Sequence, residues 1–180
     1  EGKALREKFD IAITAVCDVW DYRTDRAAEL TKKEAGYEPK KYYRDYRKLL
    51  DDKNVDVVLI ATPDHWHAKQ TIDAAAAGKD VYCEKPMTHT IDEARQVCEA
   101  IRKYDRVMQV GVQSMSDPRW RAANDLIKEG KIGHVLQAHT SYYRNSAVGQ
   151  WRYYTLTEAM TPRSIDWKMF LGTDFGLAPN

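Results

Sequence analysis

Residues 55–61, VDVVLIA, are an almost unbroken apolar run of the length of one strand. A strand with one solvated face alternates apolar with polar residues, so this run reads as a parallel strand buried on both faces. Other segments repeat the theme. Phe9–Val16 (FDIAITAV) predicts a strand ending at Cys17-Asp18, Asp80–Cys83 a short strand, and Val107–Val112 another. Helices separate them. Residues 2–8 read as a helix tail, 26–35 as a helix stopped by Gly36, 46–51 as a short helix after a Tyr-rich connection, and 67–77 as an Ala-rich helix stopped by Gly78. Thr90 and Glu93 form a Thr-x-x-Glu capping box, with Ile91, Ala94, Val97, Cys98 and Ile101 as the buried stripe of the helix that follows. Strand-helix alternation with short loops predicts an α/β fold with a doubly wound, mostly parallel sheet.

The pattern changes further on. Ser116 or Asp117 with Pro118 opens a helix carrying Trp120, Ala123 and Ile127 inward as far as Gly130. His134–Tyr143 (HVLQAHTSYY) alternates apolar with polar and predicts a strand of an antiparallel sheet with one covered face. Residues 144–165 read as irregular and Ile165–Leu171 as a helical turn, so this sheet begins without finishing before Asn180.

Charge narrows the partners. The 28 basic residues nearly cancel the 27 acidic ones, leaving +1, which gives no footprint for nucleic acid or an anionic membrane. No apolar run approaches the roughly 18 residues of a membrane span. Cys17, Cys83 and Cys98 include no C-x-x-C pair and read as buried free thiols.

Ligands of open parallel sheets bind beyond the carboxyl ends of the strands. The residues there are Asp18, then Thr62-Pro63-Asp64-His65-Trp66-His67, then Glu84-Lys85-Pro86, and Gly111 to Gln113. Asp18 suits a carboxylate that accepts hydrogen bonds from an adenosine ribose and repels an added 2′-phosphate, while nearby Arg23 suits receiving that phosphate. Read singly, Asp18 is an ordinary solvated turn aspartate. The glycine turn expected ahead of such an aspartate is absent from residues 1–17. Lys85, held at a strand end by Pro86, suits hydrogen bonding to a substrate hydroxyl or carbonyl during hydride transfer, and a cis Lys-Pro bond would set its direction. Read singly, it is a solvated turn lysine.

The stretch DVVLIATPDHWHAKQTIDAAAAGKDVYCEKPMTHTIDEARQV resembles the core of the Gfo/Idh/MocA oxidoreductases. AVCDVWD, YRDYRKLL, VGVQS, SDPRWRAANDLIKEGKIG and DWKMFLG resemble flanking pieces of the same family. The resemblance implies a Rossmann domain over 1–115 lacking its first βα unit, then over 116–180 the beginning of an α/β substrate and oligomerisation domain with an antiparallel sheet. It implies NAD as cofactor, with NADP left open. By position it makes Asp18 the ribose-binding carboxylate, lays Thr62, Pro63 and His67 along the cofactor, sets Glu84 at the nicotinamide ribose and Gln113 near the nicotinamide, and makes Lys85 the catalytic lysine. Two departures stand out. Met115 replaces an arginine common in relatives, and the family's Asp-x-x-x-His acid/base element has no counterpart before Asn180.

The activity implied is hydride transfer between nicotinamide and a sugar, polyol or related hydroxylated substrate. The whole protein is expected to be a homo-oligomer in the cytoplasm, with periplasmic export left open, and the chain alone to bind NAD poorly and catalyse nothing. Three alternatives stand beside it: a non-catalytic dinucleotide- or sugar-binding module, an NAD-dependent glycoside hydrolase of the same family, and a metal-dependent hydrolase built on His65-x-His67. Tyr142, Tyr143, Trp151, Tyr153 and Tyr154 would suit a sugar-binding face or an interface, or plain packing. The metal reading is weak because a helix start turns two residues spaced by two roughly 200° apart, and no metal is expected.

Overall fold

The computed structural model describes residues 8, 10–141, 143, 145, 147 and 157–178. In chain order the elements are β1 (Ala15–Cys17), α1 (Asp21–Ala35), β2 (Lys41–Tyr43), α2 (Tyr46–Leu50), β3 (Val57–Ile60), α3 (Asp64–Ala76), β4 (Asp80–Glu84), α4 (Ile91–Lys103), β5 (Met108–Gly111), α5 (Pro118–Lys128) and α6 (Trp167–Leu171), followed by a 3₁₀ turn at Thr173–Phe175. The chain divides into two units, Glu1–Gly111 with Ala159–Asn180, and Val112–Glu158.

All strand pairing in the first unit is parallel, as expected of strands joined by helices. β3, however, is buried on one face rather than both: Ile60 is buried while Val57 is 59% and Leu59 68% exposed, the strand having a hydrogen-bonded neighbour on one side only among the described residues. It falls into two sheets, a pair β1-β2 and a triple β3-β4-β5. Dinucleotide-binding folds have the strand order 3-2-1-4-5-6. The pair corresponds to 3-2 and the triple to 4-5-6, and no strand among the described residues takes position 1. β1 is accordingly shorter than the FDIAITAV pattern predicts: residues 10–14 are not strand, and Ile11 and Ile13 stay exposed. A strand bonded on one side only is held by fewer ladder bonds. The Tyr-rich connection, in turn, contains β2, whose KYY run pairs with Ala15–Cys17.

The core of this unit gathers Tyr46, Leu49, Leu50, Val55, Ile60, Trp66, Ala74, Val81 and Cys83. The last described segment packs onto it through Met169, Phe175 and Leu177. It is anchored where Ile165 bridges Trp20 and the Asp166 N–H donates to the Val19 carbonyl at 3.0 Å. Residues 159–178 thus belong with the dinucleotide-type sheet, whereas the family resemblance implies a second domain over 116–180. Gly172 allows the close packing there: it has φ +73°, and a Cβ would fall 2.8 Å from Leu177 and 3.1 Å from Trp66.

The capping box at α4 forms as expected, Thr90 and Glu93 each accepting from the other's backbone N–H. Its stripe is narrower than predicted. Val97 and Ala100 are buried, but Ile91 is 74% exposed and Cys98 lies on the surface, so only Cys83 is a fully buried thiol. Cys17 is half-buried, and desolvation, then the neighbouring Asp18 and Asp45 charges, push its thiol up to about 12.

In the second unit α5 starts as the sequence predicts, with Asp117 accepting the Arg119 N–H and Pro118 in the first turn. Its apolar residues are not inward: Trp120 is 62% and Ile127 45% exposed. The strand expected at 134–143 is not formed over 134–141, where Leu136 is 89% exposed. An alternating segment becomes a strand only against a hydrogen-bonded neighbour, and the described residues here offer none. Tyr142, Trp151, Tyr153 and Tyr154 lie outside the described residues; Tyr143 is exposed. Among the described residues no helix is long and apolar enough to cross a membrane.

Candidate active site

The three strands of the larger sheet end level, because Ile60 pairs in register with Cys83 and Glu84 with Gly111. Thr62-Pro63 and Lys85-Pro86 therefore emerge at one edge. Gln113 follows β5 but falls in the second unit, where it is exposed.

Pro63 sets the entry into α3. Its φ of −57° is already helical, and its carbonyl accepts the Trp66 N–H at 2.9 Å. The helix consequently begins at Asp64, ahead of the predicted start at His67. Thr62 is held by its hydroxyl, which donates to the buried Gln70 Oε1 at 2.8 Å. His67 lies beneath this edge, 1% exposed. Its Nδ1 is 2.6 Å from the Pro86 carbonyl oxygen and its Nε2 2.8 Å from that of Thr62. Both ring nitrogens are thus engaged within the protein. The ring ties the β3 loop to the β4 loop.

Glu84 is half-buried at the end of β4, and its Oε2 accepts the Lys85 N–H at 3.2 Å. The carboxylate crosses Gly111: a Cβ on that residue would sit 2.9 Å from Glu84 Oε1 and 2.9 Å from the Tyr82 ring. Lys85 is exposed, and its bond to Pro86 is cis.

Asp18 follows β1 and belongs to the smaller sheet. Its N–H donates to the Tyr43 carbonyl at 3.1 Å, and its Oδ1 accepts the Trp20 N–H at 2.9 Å. Burial raises its carboxyl above the usual range, against the Trp20 N–H and the attraction of Arg23. The Arg23 guanidinium rests 5.5 Å from the centre of the Trp20 ring. Asp18, Arg23, Thr62 and Pro63 line one cavity of about 500 Å³ between the two sheets, whose remaining wall is largely apolar, with Ile13, Val16, Val58 and Leu59. Glu84 and Lys85 stand outside it.

Two residues acquire a role that their spacing did not reveal. The Phe170 carbonyl accepts the Trp66 Nε1–H at 2.9 Å and lies 2.9 Å from His65 Nε2. A carbonyl only accepts, so His65 carries its proton on Nε2 there. The late DWKMFLG segment thereby docks on the first turn of α3. His65 and His67 turn to carbonyls of different segments, and the described residues contain no group of three His, Cys, Asp or Glu side chains able to hold a metal.

A parallel sheet of this order, with an acidic residue after one strand and a Glu-Lys-Pro after another, defines a dinucleotide-binding α/β domain. The model of the oxidoreductase family with an NAD-binding Rossmann fold, GFO_IDH_MocA, matches residues 1–112, and the chain belongs to that family. Inositol 2-dehydrogenase of Salmonella paratyphi B is 33% identical over 143 residues, which cover 79% of this chain and 41% of that enzyme. D-xylose 1-dehydrogenase (NADP(+)) of Hypocrea jecorina is 33% identical over 149 residues, covering 82% and 38%. Among solved structures, scyllo-inositol dehydrogenase from Lactobacillus casei with bound NAD(H) and scyllo-inositol superposes with a TM-score of 0.59 at 28% identity, covering 73% of this chain and 38% of that one. The chain therefore spans less than half the length of these relatives.

Proposed function

We propose that this chain supplies the nucleotide-binding part and the lysine of an NAD(P)-dependent oxidoreductase acting on a sugar, polyol or related hydroxylated substrate. The observation that carries the reading is Lys85, exposed at the carboxyl end of the middle strand of its sheet, next to a Glu84 carboxylate and level with Thr62-Pro63. Relatives named for inositol and xylose support the substrate class.

The residues present fit a dinucleotide. Asp18 offers a carboxylate to ribose hydroxyls and Glu84 a second, and Gly111 lets the Glu84 carboxylate lie across it where a Cβ would fall 2.9 Å from Oε1. Thr62-Pro63 would lie along the cofactor, and Gln113 would approach the nicotinamide. His67 would act through the loops it joins. Bound nicotinamide supplies the hydride acceptor or donor. Lys85 would donate a hydrogen bond to the substrate oxygen, holding it in place and favouring the negative charge that gathers there as the hydroxyl proton leaves to water ahead of the hydride, or as hydride arrives on a carbonyl in the reverse direction. Asp18 favours NAD, because a carboxylate repels a 2′-phosphate.

The test is turnover of the intact protein with NAD and, separately, NADP, against a panel of inositols, aldoses and anhydrosugars. Formation of reduced cofactor with at least one of them is expected. Tight dinucleotide binding with no turnover on any of the panel would favour a binding module instead. Release of an alcohol from a glycoside with no net reduced cofactor would favour hydrolysis.

A further inference from the structure

We infer that His67 is an imidazolium, charged at neutral pH, that clasps the Thr62 and Pro86 carbonyls and so positions Lys85, the residue next to Pro86. The inference rests on the proposed role of Lys85 and adds a positioning residue behind it.

The geometry dictates the charge. A carbonyl oxygen has no proton to give, and both ring nitrogens of His67 face carbonyl oxygens, at 2.6 Å and 2.8 Å. Neutral imidazole has one donor and one acceptor nitrogen, so it would set a lone pair against a lone pair at one of the two contacts. Only the doubly protonated ring satisfies both. At 1% exposure no water is at hand to relieve a mismatch. A buried cation is tolerated when its hydrogen bonds are complete, and here both are made to carbonyl oxygens.

The titratable group facing the ring from the sheet is Cys83 of β4, which is fully buried and whose thiol also donates to the Glu84 carbonyl at 3.4 Å. Burial opposes the charged ring, but the neighbouring Cys83 sulfur and the hydrogen bonds to the Pro86 and Thr62 carbonyls outweigh it and lift the imidazole to about 9. The consequence for the site is directional. Thr62 closes β3 and Pro86 follows Lys85, so one side chain on α3 sets the spacing between the two loops that flank the open edge. With the proton gone, one of these contacts becomes repulsive and the loop carrying Lys85 is no longer held.

Heteronuclear NMR of the intact protein labelled with ¹⁵N-histidine reads the charge without any variant. Both His67 ring nitrogens should be protonated at neutral pH and titrate with a midpoint near 9. A neutral His67 at neutral pH would overturn the inference whether or not the protein turns over any sugar. The second arm is His67→Gln, judged folded by its thermal transition. Its Lys85 backbone amide resonance should move and broaden. With an active substrate in hand, kcat should fall about tenfold or more while the Kd for NAD changes less than about threefold. An unmoved Lys85 resonance in a folded variant would show that His67 has no positioning role.

Discussion

At the amino ends of the strands Asp52 is the centre of a closed polar knot. Its Oδ2 accepts from Lys41 Nζ at 2.8 Å and from the Tyr43 hydroxyl at 3.3 Å, its Oδ1 from the Asn54 N–H at 3.0 Å, and its carbonyl from the buried Lys79 Nζ at 2.8 Å. The knot joins β2 to the turns ahead of β3 and β4. At the carboxyl ends the buried polar group is His67, and beyond it Glu84 is half-exposed and Lys85 faces solvent. At one end the Asp52 carboxylate engages both its oxygens with neighbouring side chains and backbone, which holds a fold together. At the other a buried group braces loops whose own side chains stay available, which is the arrangement chemistry needs. The two braces also titrate in opposite directions. Hydrogen bonds from Lys41 and Asn54 hold the Asp52 carboxyl down to about 2, so its contribution is present above the usual carboxylate range near 3.8 and disappears as the pH falls toward 2. His67 is raised, so its contribution is complete below 6.5 and disappears as the pH rises through about 9.

The comparison yields a ranked set of tests. Asp18→Ala is expected to weaken NAD binding by about tenfold or more, the loss of hydrogen bonds to a charged acceptor, and NADP binding by less. Isothermal titration with the two cofactors checks this, and equal losses would remove Asp18 as the selector. Trp66→Phe deletes the Nε1 donor to Phe170 and leaves the ring's bulk mostly in place, so urea unfolding should show a loss of about 1–2 kcal/mol. Asp52→Asn should lower Tm by a few degrees at neutral pH and flatten the acid limb of stability between about pH 4 and 2, with dinucleotide binding untouched; an effect on binding would contradict the division between the two ends. Ile91→Ser should change stability by less than about 0.5 kcal/mol, since Ile91 is already 74% exposed.

Ile91 also shows where sequence reasoning stops. Helical periodicity identifies the apolar face of α4 but not how much of that face another layer covers. The same gap separates the predicted inward Trp120 and Ile127 from their exposed positions, and the alternating 134–141 segment from a strand. Local signals fared better. VDVVLIA, the Thr90 box, Asp117-Pro118 and the glycine stops depend on a few adjacent residues, and each appears in the structure within a few positions. β2 was hidden because KYY becomes a strand only beside Ala15–Cys17. At the site, strand-end position marked the clusters at 62–67 and 84–86, and the family resemblance picked Thr62, Pro63, Glu84 and Lys85 out of them. The pairing of His67 with Pro86, nineteen residues on, and of Trp66 with Phe170 required the tertiary fold, because no local pattern connects them.

The central claim is that the open carboxyl edge carries out chemistry through Lys85. Its most direct test is Lys85→Met in the intact protein, with turnover and NAD affinity measured on the same preparation. The expected result is a loss of turnover of at least about a hundredfold, with the Kd for NAD within about threefold of the parent. Unchanged turnover would contradict the claim.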